Sequence, residues 1–286
     1  MKLTLGFSPC PNDTFIFDAL IHGKVDTEGL NFEVYFEDVE TLNKRAFNQS
    51  LDITKLSYHA FAYASEHYVL MDAGSALGFG VGPLLICRDQ NLVDDLADMS
   101  KEDLANLRVG IPGKYTTANF LLGLAFPGLV NKEIMVFSGI EEALLSGDID
   151  LGLIIHENRF TYEAKGLLKV EDLGDYWERA TNKPIPLGGI VARRSLPDEV
   201  KQKINRVLRR SVEFAFKHPQ SGIEFIRSHA QAMEDEVMYQ HIELYVNDYS
   251  VNLGELGRDA IQQMFDQAAA LELIPAQTSS LNLFLD

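Results

Sequence analysis

Residues 150–159 read DLGLIIHENR, and the change of character inside those ten positions decides the fold. Leu151, Leu153, Ile154 and Ile155 form a short apolar run, the pattern of a strand buried on both faces. His156, Glu157, Asn158 and Arg159 follow with no spacer. In an open α/β sheet, ligands gather beyond the carboxyl ends of the strands. The pattern therefore predicts that His156 stands where the strand stops and the ligand-facing surface begins. A hydrogen-bonded loop histidine satisfies the same pattern, and this stretch by itself leaves both readings open.

The segments leading into it repeat the strand–loop–helix motif. Residues 107–111 read as a strand, followed by Pro112-Gly113-Lys114-Tyr115-Thr116-Thr117-Ala118 and an apolar helix at 119–126 that Thr116 or Thr117 could cap. A strand at 134–137 and a helix at 140–145 come next, and Gly147-Asp148 turns the chain into the His156 strand. The beginning of the chain has the same layout. A strand at 2–7 runs into Ser8-Pro9-Cys10-Pro11-Asn12-Asp13-Thr14 and a helix at 15–22, with Asn12 or Asp13 as N-cap and Gly23 as its stop. Such a loop can turn backbone N–H groups towards an anion; an ordinary βα connection has the same sequence.

Residues 30–37 alternate apolar and polar as a half-buried strand, and 38–48 suit a helix. Residues 51–56 give another strand, then Ser57 and a helix at 59–66. Lys55 and Ser57 fall at that strand's end. A lysine beside a hydroxyl and a helix N-terminus can hold a carboxylate; a solvated surface lysine is the alternative. The glycine-dense stretch 74–82 fits neither GxGxxG nor a Walker loop and reads as a flexible connection into a strand at 83–88. Residues 89–106 are acidic and linker-like.

The return strand is expected within 184–194. Helices follow at 198–217, 219–229, 235–247 and 253–273, whose His218, His229 and His241 read as surface or packing residues. The implied architecture is α/β with parallel sheets and helices on both faces. Residues 1–88 with 193–286 form one lobe and 89–192, carrying His156, the other, with crossings near 83–90 and 186–194. A ligand cleft between the lobes, closed by a hinge, is expected.

Composition narrows the function. The chain has 286 residues, 46% hydrophobic and 23% charged, enough for one large or two ordinary domains. No window offers a membrane span, and residues 1–13 lack the apolar core of a signal peptide, so a cytoplasmic location is expected. Cys10 and Cys87 make neither a metal pattern nor a disulfide framework. The formal charge of −17 argues against nucleic acid and anionic membrane surfaces as partners. An anionic ligand would have to be held by local donors. No HExxH, GxSxG or internal repeat occurs.

Seven stretches carry a resemblance: SPCPNDTF (8–15), EDVETLN (37–43), TKLSY (54–58), GVGPL (80–84), GKYTTA (113–118), GLIIHENRFTY (152–162) and PIPLGGIVARR (184–194). In this order and spacing the chain resembles the 1,4-dihydroxy-6-naphthoate synthase family, enzymes of the futalosine route to menaquinone. The resemblance implies a two-lobed, type II periplasmic-binding-protein-like fold. It implies a lyase that cleaves a carbon–carbon bond, converting cyclic dehypoxanthinyl futalosine to 1,4-dihydroxy-6-naphthoate with no metal or organic cofactor. By the same resemblance His156 is the proton acceptor, and Lys55, Leu56, Ser57, Thr117 and Ala118 contact the substrate. Unperturbed imidazole, at ~6.5, already suits a base working near neutrality.

The partner expected is a small anion bearing a carboxylate. The hydroxyl of Thr116 joins Lys55, Ser57 and Thr117 as a donor for it, and Ser8, Asn12 and Asp13 form a second set of polar contacts. Segment 89–101 looks longer and more acidic than the family pattern. Two alternatives share the fold: the chorismate dehydratase of the same pathway and a non-catalytic solute-binding protein.

Overall fold

The computed structural model describes residues 1–230, 234–275, 278 and 281–285. Its first strands are β1 (Lys2–Phe7), β2 (Asn31–Phe36), β3 (Ile53–Ser57), β4 (Tyr68–Leu70), β5 (Ala76–Gly78) and β6 (Leu84–Cys87). They are followed by β7 (Val109–Ile111), β8 (Lys132–Ile134), β9 (Leu151–Ile154), β10 (Leu168–Asp172) and β11 (Ile185–Arg193). The chain divides into two units, Met1–Gly78 with Pro186–Asp286, and Phe79–Ile185.

In the first unit the sheet order is β2-β1-β3-β11-β4, with β5 paired to β11. The helices Pro11–Ile21 and Val39–Phe47 are crossovers, so β1 runs parallel to both β2 and β3. β1 and β3 therefore end at the same edge, which brings the Ser8 loop beside Ser57. β11 returns without such a crossover and lies antiparallel to β3 and β4. The sheets are mixed, not wholly parallel as the alternation of strands and helices suggested.

The helix expected at 15–22 begins earlier, at Pro11, with Cys10 as N-cap and no side-chain cap bond. Proline at the first helical position explains the start, since its fixed φ suits a helix and its missing N–H would be unpaired there anyway. Asn12 and Asp13 thus sit inside the first turn instead of capping it. Asp13's negative charge is favourable at that helix end. The helix is buried from Pro11 to Leu20 because the sheet covers one side and helices Asp198–Lys217, Ile223–His229 and Asp235–Tyr245 pack on the others. Phe7 and Phe17 stack at 4.3 Å within that core.

The second unit has the order β10-β6-β9-β7-β8. β7 is parallel to β8 and β9, whereas β6 is antiparallel to β9 and β10. The strand expected at 83–88 thus pairs with the His156 strand, Leu84 opposite Ile154. All four residues of β9 are buried, as an apolar run between two neighbours requires.

Segment 89–106 is no linker. Asp89 and Ser100 cap the helices Gln90–Asp95 and Lys101–Asn106. The strand expected at 134–137 lies at Lys132–Ile134, and a 3₁₀ turn occupies Phe137–Gly139. The glycine-dense stretch is partly β5, and at its end a Cβ on Gly82 would lie 2.2 Å from the Gly174 backbone, so glycine there allows close chain approach. No helix among the described residues is long and apolar enough to cross a membrane.

Candidate active site

In the first unit the structure gathers three of the expected residues around the carboxylate of a fourth, Asp13. Lys55 is not a solvated lysine: it is buried, and its Nζ lies 2.7 Å from Asp13 Oδ1. Asn12 Nδ2 donates to the same oxygen at 3.0 Å. Ser8 donates twice to Asp13 Oδ2, from its amide at 3.2 Å and its hydroxyl at 2.9 Å. Asp13 sits in the third position of its helix and reaches back past the N-cap Cys10 to Ser8 in the loop.

The end of β3 is fixed from another direction. Ser57 donates its amide to Asn43 Oδ1 at 3.1 Å, and Asn43 Nδ2 lies 3.3 Å from Ser57 Oγ and 3.3 Å from Glu40 Oε2. Strand alternation puts Lys55 and Ser57 on one face and Leu56 on the other, where it is 1% exposed. Leu56 is a core side chain. On β11, Gly188 pairs with Ser57, and a Cβ there would meet the Leu56 carbonyl at 2.7 Å and Lys55 Cε at 3.4 Å. Glycine keeps the space over Lys55 open.

In the second unit β7 and β9 are parallel, so the loops that follow them share an edge. Thr116 caps the helix Thr117–Ala125, accepting from the Asn119 amide at 3.2 Å and donating to the Gly113 carbonyl at 2.9 Å. Its hydroxyl is thus largely committed to the fold. Thr117 and Ala118 are buried in the first turn, where amide N–H groups point out of a helix.

His156 opens the 3₁₀ segment His156–Phe160 with φ +58°, a left-handed conformation uncommon for a residue with a side chain. Its ring is partly exposed and lies 5.1 Å from that of Phe137. The following residues clamp this turn. Asn158 accepts from the amides of Thr161 and Tyr162, both at 3.1 Å, and its own side-chain amide donates to Glu141. Lys165 pairs with the same Glu141 oxygen at 2.6 Å. Arg159 bonds the Gly82 carbonyl at 2.5 Å and Asp172 at 2.7 Å. Glu157 is buried, and that burial, helped by the charge of Glu141, pushes its carboxyl above the ordinary glutamate range. A cavity of about 170 Å³ lies against Arg159, Tyr162, Glu163, Lys169 and Asp172, two acids and two bases among them; neither His156 nor Thr116 to Ala118 lines it.

Four side chains around these residues escape sequence reasoning. Asn43 lies within EDVETLN, a quoted motif, and could have been singled out as a buried amide on a helix. Glu141 and Asn158 carry no signal of their own. His241, read as a surface or packing residue, is 0% exposed and places Nε2 2.9 Å from Asn12 Oδ1.

A family model described as menaquinone biosynthesis matches residues 3–270. A Thermus thermophilus protein named 1,4-dihydroxy-6-naphtoate synthase is 45% identical over 268 residues, covering 94% of each chain. A Streptomyces coelicolor protein of the same name is 40% identical over 279 residues, 96% of this chain and 95% of that one. Among solved structures, a protein of Archaeoglobus fulgidus superposes with a TM-score of 0.86 at 36% identity, covering 96% of this chain and 98% of that one. The periplasmic aliphatic sulphonate binding protein of Escherichia coli matches with a TM-score of 0.66 at 11% identity, over 100% and 92% of the two chains. That last likeness establishes a periplasmic-binding-protein-like fold.

Proposed function

The chain belongs to the menaquinone biosynthesis family, and from that premise we propose that it cleaves cyclic dehypoxanthinyl futalosine to 1,4-dihydroxy-6-naphthoate with His156 as general base. Two relatives bearing the synthase name match it nearly end to end, which supports the reaction. The observation that carries the choice of base is the place of His156, just past the carboxyl end of the buried strand β9, where ligands gather in an open sheet. Its left-handed backbone, at φ +58°, is shared among the described residues by Glu28, Gln49, Asn182 and Glu272, but of the five only His156 carries an imidazole. The Asn158–Glu141 and Arg159–Asp172 ties fix the turn that follows it.

On this reading imidazole removes a proton from the substrate. The electron pair left behind drives rupture of a carbon–carbon bond, and the ring system becomes aromatic. A base of this kind contributes ~10²–10⁴-fold in rate. Within the first unit, Lys55 and Ser57 receive the substrate's carboxylate; within the second, the helix N-terminus at Thr117 and Ala118 offers free amides and a favourable dipole. Because Asp13 already neutralises Lys55, the anion is held by directed N–H and O–H donors more than by net charge. Ser8, Asn12 and Asp13 then serve by positioning the ammonium, and Thr116 by fixing its helix.

The test is incubation of the purified chain with cyclic dehypoxanthinyl futalosine and, separately, with chorismate, products being read by mass spectrometry. Release of 1,4-dihydroxy-6-naphthoate from the first is expected. Consumption of chorismate alone would assign the dehydratase instead, and binding without conversion a solute-binding protein.

A further inference from the structure

His241 is a buried titratable residue that the reaction as described does not use, yet its surroundings fix its state. It lies on the helix Asp235–Tyr245, with its ring 4.8 Å from that of Tyr245 and Nε2 2.9 Å from Asn12 Oδ1. The polarity of the contacts follows outward from Asp13. A carboxylate paired with Lys55 at 2.7 Å is an acceptor only. Asn12 must therefore turn its NH₂ towards Asp13, at 3.0 Å, and its carbonyl oxygen towards His241. That oxygen also only accepts, so Nε2 of His241 must carry a proton.

We propose that His241 is a positioning residue for substrate binding. As an Nε2–H donor it locks the Asn12 amide. Asn12 and Ser8 then hold the Asp13 carboxylate, and Asp13 fixes the Lys55 ammonium for the substrate's carboxylate. Four buried polar side chains on three elements form one directional chain, His241 to Asn12 to Asp13 to Lys55. A histidine present only for packing would have no need of a defined tautomer. Only the last link, Lys55 meeting the substrate, rests on the function proposed above.

Two variants separate a donor from a filler. His241→Phe keeps a ring and removes the donor, whereas His241→Gln supplies an amide N–H. With cyclic dehypoxanthinyl futalosine, His241→Phe is expected to raise KM ~10-fold with kcat held within ~2-fold, the signature of lost binding in ground and transition states alike. His241→Gln should stay within ~3-fold of wild-type KM, as one neutral hydrogen bond replaces another. An unchanged KM in the Phe variant, or equal losses in both, would overturn the proposal.

The tautomer is measured without any substrate. In ¹⁵N-histidine-labelled wild-type protein His241 should show the Nε2–H form, and an Nδ1–H tautomer with bare Nε2 overturns the chain of bonds. If wild-type protein fails to turn over the substrate, the proposed reaction falls. The relay is then judged by that tautomer and by the Lys55 ammonium resonance, which must move in His241→Phe and not in His241→Gln.

Discussion

Asp13→Asn removes one charge and almost no volume, and its effect can be worked from the four donors that converge on the side chain. Lys55 Nζ at 2.7 Å and Asn12 Nδ2 at 3.0 Å meet one oxygen, the Ser8 amide at 3.2 Å and hydroxyl at 2.9 Å the other. An amide has a single accepting oxygen, so either orientation sets its NH₂ against one pair of donors. If the oxygen keeps Lys55, the Ser8 hydroxyl can rotate away but the Ser8 amide cannot.

In both orientations the buried ammonium loses its counter-charge. Removing one member of a buried pair destabilises by ~3–5 kcal/mol, about a fifth or more of the ~5–15 kcal/mol that holds a typical protein folded. Replacing both members, Asp13→Leu with Lys55→Met, removes the unpaired ammonium but strands the Ser8 amide and the Asn12 side-chain amide, so it should recover only part of that loss. Urea unfolding followed by far-UV circular dichroism measures both variants against the wild type. Trp177, the one tryptophan of the chain, lies in the second unit, and its fluorescence reports the transition there alongside the circular dichroism. A loss below ~1 kcal/mol in Asp13→Asn, the range of an exposed pair, would show that Lys55 does not depend on Asp13 as a buried partner.

Gly188→Ala places a methyl group 2.7 Å from the Leu56 carbonyl and 3.4 Å from Lys55 Cε; it should lower stability by ~1–3 kcal/mol and raise KM, measured by urea midpoint and steady-state kinetics. His156→Gly relieves a left-handed residue and should unfold at or above the wild-type urea midpoint, by up to ~1 kcal/mol, while turnover is lost. The raised Glu157 carboxyl gives a pH prediction. The native state keeps that proton to higher pH than the unfolded chain, so wild-type stability should fall as pH rises from the ordinary value of 4.5 through the raised one. Glu157→Gln should flatten that part of the urea-midpoint profile and be the more stable protein at neutral pH.

The strands built by βαβ crossovers were legible because burial on one or both faces writes itself into local pattern. Residues 2–7 and 151–154 are examples. Two antiparallel strands, Leu84–Cys87 and Ile185–Arg193, were legible as well, within 83–88 and 184–194; three further strands were not. Tyr68–Leu70, Ala76–Gly78 and Leu168–Asp172 are short, and their partners are set by chain return and not by composition. The acidic segment 89–106 reads as a linker on charge alone, since caps at Asp89 and Ser100 weigh little against so many carboxylates. Around the candidate site, Lys55 and Ser57 could be singled out from their place at a strand end. The burial of Lys55 could not, because Asp13 lies 42 residues away, and neither could the Asn12–His241 contact, across 229 residues. Local pattern shows where a polar residue stands along an element. It does not show which distant element closes over it.

The assignment of His156 is tested most directly by single-turnover kinetics of His156→Asn, a side chain that tolerates the left-handed backbone, alongside a binding isotherm for cyclic dehypoxanthinyl futalosine. The variant should fold, bind the substrate nearly as wild type does and release 1,4-dihydroxy-6-naphthoate ~10²–10⁴-fold more slowly. Naphthoate formation at a rate near that of the wild type would contradict the assignment.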